Sequence, residues 1–170
     1  MTEPVAGQLL RPWRGTVLPE WTDYNGHLRD AYYLLVFSMA TDAMMDMIGL
    51  DAAGRAATGH SMFTLESHIN YLLEVKQGTA IEVHTQVLGA DTKRLHVFHE
   101  LFVAGTDTLL SVNEQMQLNV DMSGPRAAPF APTVLPRVQA MAAAHAGLPR
   151  PGYAGRSIAL PAAQRRRDSS

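Results

Sequence analysis

No cysteine occurs among the 170 residues, which excludes a disulfide framework, a thiolate nucleophile and any thiolate-ligated metal. Charge is scarce as well: 18% of the residues are charged, and the formal net charge is −2. A chain so weakly charged has no basic field with which to hold nucleic acid across its surface. The only basic run, Arg165-Arg166-Arg167, stands near the C-terminus before Asp168-Ser169-Ser170 and reads as a solvated tail. Long apolar runs are missing too. Nothing approaches the roughly 18 apolar residues that a bilayer span needs. Residues 1–11 have no apolar run of signal-peptide length and carry Glu3 early. These absences predict a soluble cytoplasmic protein with no membrane or nucleic-acid partner.

What is present is enough for one globular core: 46% of the chain is hydrophobic, and its length is that of a single domain. Trp13 to Leu18 reads as a short strand stopped by Pro19, followed by a loop from Glu20 to Gly26 containing the turn pair Asn25-Gly26. Leu28, Tyr32, Leu35, Val36, Met39, Ala43 and Met47 then recur at helical spacing, predicting a long helix from about Leu28 to Ile48, with Gly49 at its end. From Ala31 to Met39 its only polar side chains are two tyrosine hydroxyls and Ser38, and Ser38, Asp42 and Asp46 fall four apart in one thin stripe. A helix apolar on nearly every side must be enclosed.

Period-two alternation supplies the enclosure. Met62 to Leu73 places Phe63, Leu65, Ile69 and Tyr71 on one face and Thr64, Glu66, His68 and Asn70 on the other. Ala80 to Leu88 alternates Ile81, Val83, Thr85 and Val87 with Glu82, His84 and Gln86. Lys93 to Val103 follows after the loop Gly89 to Thr92, and Leu110, Val112, Met116, Leu118 and Val120 mark a last strand. The pattern predicts an antiparallel meander with one polar face. The fold class is α+β: about five strands curved around one long helix. Open sheet edges predict a homodimer, or a dimer of dimers. Residues 1–12 read as an N-terminal segment, 13–130 as the domain, and 131–170 as a C-terminal helix, starting at Pro132 or Pro136, with a loose tail.

Chemistry concentrates in Trp21-Thr22-Asp23-Tyr24-Asn25-Gly26-His27-Leu28, where a carboxylate, an amide and an imidazole precede a helix N-terminus. Backbone N–H groups there favour developing negative charge, and a carboxylate can attack a carbonyl or draw a proton from water. The same residues also serve as ordinary turn and cap formers. Glu114, on the apolar side of its strand, invites a buried pair with His99. His84, His96 and His99 make no convincing metal set, so no metal is expected.

Asp23-Tyr24-Asn25-Gly26-His27, with Tyr32-Tyr33 in the helix, resembles the hotdog-fold thioesterases of the 4-hydroxybenzoyl-CoA thioesterase type. In that family an Asp three residues ahead of a Gly, at the start of the central helix, is the catalytic carboxylate. Asp23 and Gly26 match it. Pro19-Glu20-Trp21, Asp30 to Ser38, Thr64-Leu65-Glu66, Lys93-Arg94-Leu95-His96, Phe98-His99-Glu100 and Glu114-Gln115-Met116 bring the likeness closest to the betainyl-CoA thioesterases of carnitine breakdown. Arg29 stands where relatives commonly carry Asn, and Asn119 where they carry His, so those two roles are not carried over.

The resemblance implies an acyl-CoA hydrolase with CoA only as part of its substrate and no other cofactor. It implies Asp23 as nucleophile or general base, Asn25 and His27 orienting water or substrate, and an oxyanion hole from the amides of Gly26 to Asp30. Trp21 and Tyr24 are the expected walls for a quaternary ammonium, while Tyr32 and Tyr71 are assigned to core packing. Glu66 and His68 are candidates for acyl contact, and Lys93 and Arg94 for CoA phosphate; the ordinary reading of each is a solvated surface group. A non-catalytic acyl-CoA-binding module and a hotdog hydratase are the rival readings.

Overall fold

A computed structural model describes residues 5–160; Arg165 to Arg167 lie outside them. The elements are β1 (Leu10–Thr16), a 3₁₀ turn (Pro19–Trp21), α1 (Asp30–Met47), α2 (Ala52–Thr58), β2 (His60–Tyr71), β3 (Ala80–Ala90), β4 (Arg94–Val103), β5 (Leu109–Asp121), β6 (Arg126–Ala127) and α3 (Leu135–His145). The five long strands form one antiparallel sheet in the order β1-β3-β4-β5-β2, with β6 also on β5. The meander is therefore limited to β3-β4-β5. The Lys76 to Thr79 turn does not make a hairpin, because β2 pairs with β5 at the far edge. Both edge strands, β1 and β2, reach α1, so the sheet curves around the helix. This is the hotdog arrangement that the resemblance implied.

Val36, Phe37, Ala40 and Met44 of α1 are fully buried, each large apolar side chain contributing roughly 1.5–3 kcal/mol on leaving water. Leu34 and Leu35 stay exposed on the opposite side, so the helix is covered on one broad face rather than all round. Among the described residues no single helix is long and apolar enough to cross a membrane. The short α2 was not expected. Asp51 caps it by accepting from the Gly54 amide at 2.8 Å, and Gly59 ends it at φ +67.

Strand phase departs from expectation in two places. A bulge at Leu65 turns Thr64 inward and Phe63 outward, beside Glu66 and His68. In β5 the apolar side is the outer one. The side facing α1 carries Asn113, Gln115 and Gln117 opposite His99, Val97 and Leu95. Among the described residues the C-terminal segment is tied to the sheet. Gln86 Nε2 donates to the Pro149 carbonyl at 3.3 Å, the Gly155 amide donates to Glu114, and Arg150 lies 3.7 Å from Glu114. This strap gives the sheet a second covered side, so Gln86 is buried although it alternates with the core; Glu82 is buried on the same side among Arg11, His84 and the Gly105 amide. The core also runs past residue 130, since Val134, Val138 and Met141 of α3 pack with Leu10, Met44 and Ile48.

The inward amides bond to one another. Gln117 Nε2 donates to Gln115 Oε1 at 2.6 Å, Gln115 Nε2 to Asn113 Oδ1 at 2.5 Å, and Asn113 Nδ2 to Ser67 Oγ at 2.7 Å. Thr41 of α1 lies 3.0 Å from Gln115 Oε1 and 3.2 Å from His99 Nε2, while His99 Nδ1 meets Thr85 at 2.7 Å. Satisfied in this way, the seam tolerates burial.

Two histidines are locked neutral. Burial pulls His99 from 6.5 down to about 4 and also lowers His145, whose Nδ1 accepts from the Val87 amide. Because the unfolded chain protonates near pH 6.5, it binds more protons than the folded state across this window. Stability therefore falls on acidification from neutrality toward pH 4, by on the order of 3 kcal/mol from His99 alone. Thermal melts across that range check it: Tm is expected to drop for the wild type and to drop less for His99→Gln. A pH-independent Tm contradicts it.

Candidate active site

The segment before α1 folds back on itself. Thr22 and Leu28 bridge, the Asp23 amide donates to the His27 carbonyl at 2.9 Å, and the Gly26 amide donates to the Asp23 carbonyl at 3.0 Å. Gly26 closes the turn at φ +75, a conformation that side chains disfavour. The turn is tied to the body of the protein by Leu28 N to Val75 O at 2.9 Å and Gln77 N to Gly26 O at 3.0 Å. Gly26→Ala would meet no steric contact but is strained by its φ, by roughly 1–2 kcal/mol. We expect a small fall in Tm with a larger fall in turnover; an unchanged Tm and rate would show that the turn is not held in this form.

The purpose of that turn is visible at Asp23. Its Oδ1 accepts from the Asn25 amide at 2.8 Å and the His27 amide at 3.1 Å, and Oδ2 has no hydrogen-bond partner among the described residues. The His27 amide above all holds its pKa below 3.8; burial opposes it, and the Asn25 amide with the charges of His27 and Arg29 adds to the lowering. Asp23 is thus an ionised carboxylate at neutral pH with one oxygen fixed and one available.

Asn25 and His27 reach the Asp23 carboxylate through their backbone amides. The His27 ring lies 3.4 Å from Glu74. The amide set expected for an oxyanion hole is mostly engaged within the chain: Gly26, His27, Leu28 and Arg29 bond to Asp23 O, Asp23 Oδ1, Val75 O and Trp21 O. They face inward because they weld the turn to its neighbours. The Asp30 amide, the first of α1, is left without a recorded acceptor among the described residues.

The remaining expectations scatter. Trp21 is 8% exposed and stacked on Tyr32 at 6.0 Å, whereas Tyr24 is 95% exposed. Glu66 and His68 line an outer-face groove of about 380 Å³ with His96, Glu114 and Arg150. Glu114 pairs with His96 at 2.7 Å, not with His99, which lies on the inner face. Arg94 is held by Asp91 at 2.6 Å, and the Asp91 side chain also caps the Lys93 amide. Neither basic residue joins the Asp23 turn. Among the described residues no three His, Asp or Glu side chains come together as a metal set.

Residues 17–138 match the model of the Thioesterase-like superfamily; the chain belongs to that family, as a hotdog-fold thioesterase. It is 58% identical over 154 residues to the betainyl-CoA thioesterase of Pseudomonas aeruginosa, covering 91% of this chain and 97% of that protein. The L-carnitine dehydrogenase/betainyl-CoA thioesterase of Rhizobium meliloti is 38% identical over 138 residues, 81% of this chain but 28% of that larger protein. A hypothetical protein of Staphylococcus aureus solved in complex with CoA superposes with a TM-score of 0.84 at 29% identity, covering 94% of this chain and 100% of that one.

Proposed function

We propose that the chain hydrolyses betainyl-CoA to betaine and CoA, with Asp23 as the reacting carboxylate. The observation that carries this reading is an ionised, half-tethered carboxylate at the foot of α1. It occurs in a chain that matches a betainyl-CoA thioesterase over nearly its whole length. Asp23 Oδ2 attacks the thioester carbonyl or takes a proton from the water that does. In the first route the C–S bond breaks to release the thiolate and leave an Asp23–acyl anhydride, which water then cleaves to the free acid and the restored carboxylate; in the second, the oxygen of water bonds the acyl carbon as the C–S bond breaks. In both, a proton from water passes to the departing thiolate. The chemistry needs no cofactor beyond the CoA of the substrate.

The same reading makes the protein a cytoplasmic homodimer, or a pair of such dimers, joined through β2. That strand is bonded to β5 on one side only, and it carries Phe63 at 42% and Leu65 at 57% exposure. A bare apolar edge of this kind pairs readily with a second copy. Thiol release from a panel of CoA thioesters tests the proposal. Betainyl-CoA should give the highest kcat/KM; saturable binding without thiol release would instead define a binding module.

A further inference from the structure

At the first turn of α1, beside the Asp23 turn, lies a cleft of about 240 Å³ walled by Leu28, Asp30, Tyr33, Tyr71, Leu73 and Glu74. Tyr33 and Tyr71 meet edge to face at 5.4 Å and 83°. Their hydroxyls are committed to the backbone: Tyr33 Oη donates to Leu73 O at 3.0 Å and Tyr71 Oη to Asp30 O at 3.3 Å. The rings are thereby fixed; Tyr71, 49% exposed, offers ring surface to the cleft, while Tyr33, 4% exposed, packs behind it.

Negative charge stands at both ends. Glu74 adds to burial in pushing the Tyr33 phenol up to about 12, and Asp30 adds to burial in raising Tyr71, so each carboxylate bears on its ring. Glu74 has only the weakly placed His27 ring as a partner, and Asp30 has no ion-pair partner among the described residues. Aromatic and leucine surface between two carboxylates suits a weakly hydrated cation. An ammonium with N–H groups could bond the carboxylates but would set its donors against the apolar walls; a quaternary one has no donor to satisfy.

We infer that this cleft receives the quaternary ammonium head of the acyl group, with Tyr71 as its aromatic wall, Tyr33 behind it, and Glu74 and Asp30 as its counter-charges. The inference rests on the substrate reading above. In a betainyl thioester a single methylene separates the nitrogen from the reacting carbonyl. The cleft adjoins the turn to match: Leu28 lines it while bridging to Thr22, and Glu74 lines it while facing His27.

The test compares betainyl-CoA with 3,3-dimethylbutyryl-CoA, its uncharged carbon isostere, as a ratio of kcat/KM values. The wild type should favour the charged ester. Tyr71→Leu should lower the ratio about tenfold, the scale of a desolvated cation–π contact. Glu74→Gln, at a side chain 79% exposed and so harmless to folding, should lower it roughly threefold. Substitutions that slow both esters alike leave the ratio unchanged and overturn the cleft's role while sparing the enzyme's substrate. A wild type that cleaves neither ester, yet releases thiol from others, removes the betainyl reading and this inference together.

Discussion

Asp23→Asn is expected to lower kcat for acyl-CoA hydrolysis by roughly 10²- to 10⁴-fold while leaving the fold intact. The substitution is nearly isosteric, and an amide oxygen can still accept from the Asn25 and His27 amides that now bind Oδ1. The turn therefore survives; what disappears is the anion. An amide neither adds to a carbonyl nor takes a proton from water near neutral pH. Because those amides hold the carboxylate's pKa below its ordinary value, titration of Asp23 should not limit the wild-type rate at mildly acidic pH. Steady-state thiol release, with a thermal melt as control, checks both points. Near-full activity in the variant would remove Asp23 from the mechanism.

Gln115→Leu carries the largest expected effect on stability. Gln115 is 3% exposed and is the hub of the inward seam. Its Oε1 takes Gln117 at 2.6 Å and lies 3.0 Å from Thr41, and its Nε2 serves Asn113. Leucine fills similar space but strands the Gln117 donor and the Asn113 acceptor, at roughly 1–3 kcal/mol each. Thr41 suffers less, since the Phe37 carbonyl stands at 3.0 Å to take its hydroxyl proton. The sum, about 2–6 kcal/mol, corresponds to a fall in Tm of roughly 5–20 °C. Calorimetry decides it. A Tm within a few degrees of wild type would mean that the amides hold little of the fold.

Much of this architecture is written in local pattern. β3 alternates Ile81, Val83, Thr85 and Val87 inward without interruption, and α1 and Gly49 fall where helical spacing puts them. Periodicity fails where both sides of a strand are covered. In β5 the residues Val112, Glu114 and Met116 suggested a core face, but the strap at residues 149–155 covers that side. The buried amides opposite satisfy one another, a partnership spread over α1, β2, β3, β4 and β5. The bulge at Leu65 has no glycine to announce it.

The site divides in the same way. The Asp23 turn is contiguous, and its Asn-Gly pair and carboxylate are legible together. Its amides are not, because Val75, Trp21 and Gln77 claim their positions only in three dimensions. The cleft draws Asp30 and Tyr33 from α1, Tyr71 from β2 and Glu74 from the loop beyond. No spacing links them. The faint signal was Glu74, an acid set between apolar Leu73 and Val75.

The most direct measurement is a crystal structure of the protein with a non-hydrolysable thioether analogue of betainyl-CoA. It should place the carbonyl carbon within about 3.5 Å of a carboxylate oxygen of Asp23, a near-attack distance, with the trimethylammonium against Tyr71. An analogue bound with its acyl end remote from Asp23 would contradict the account.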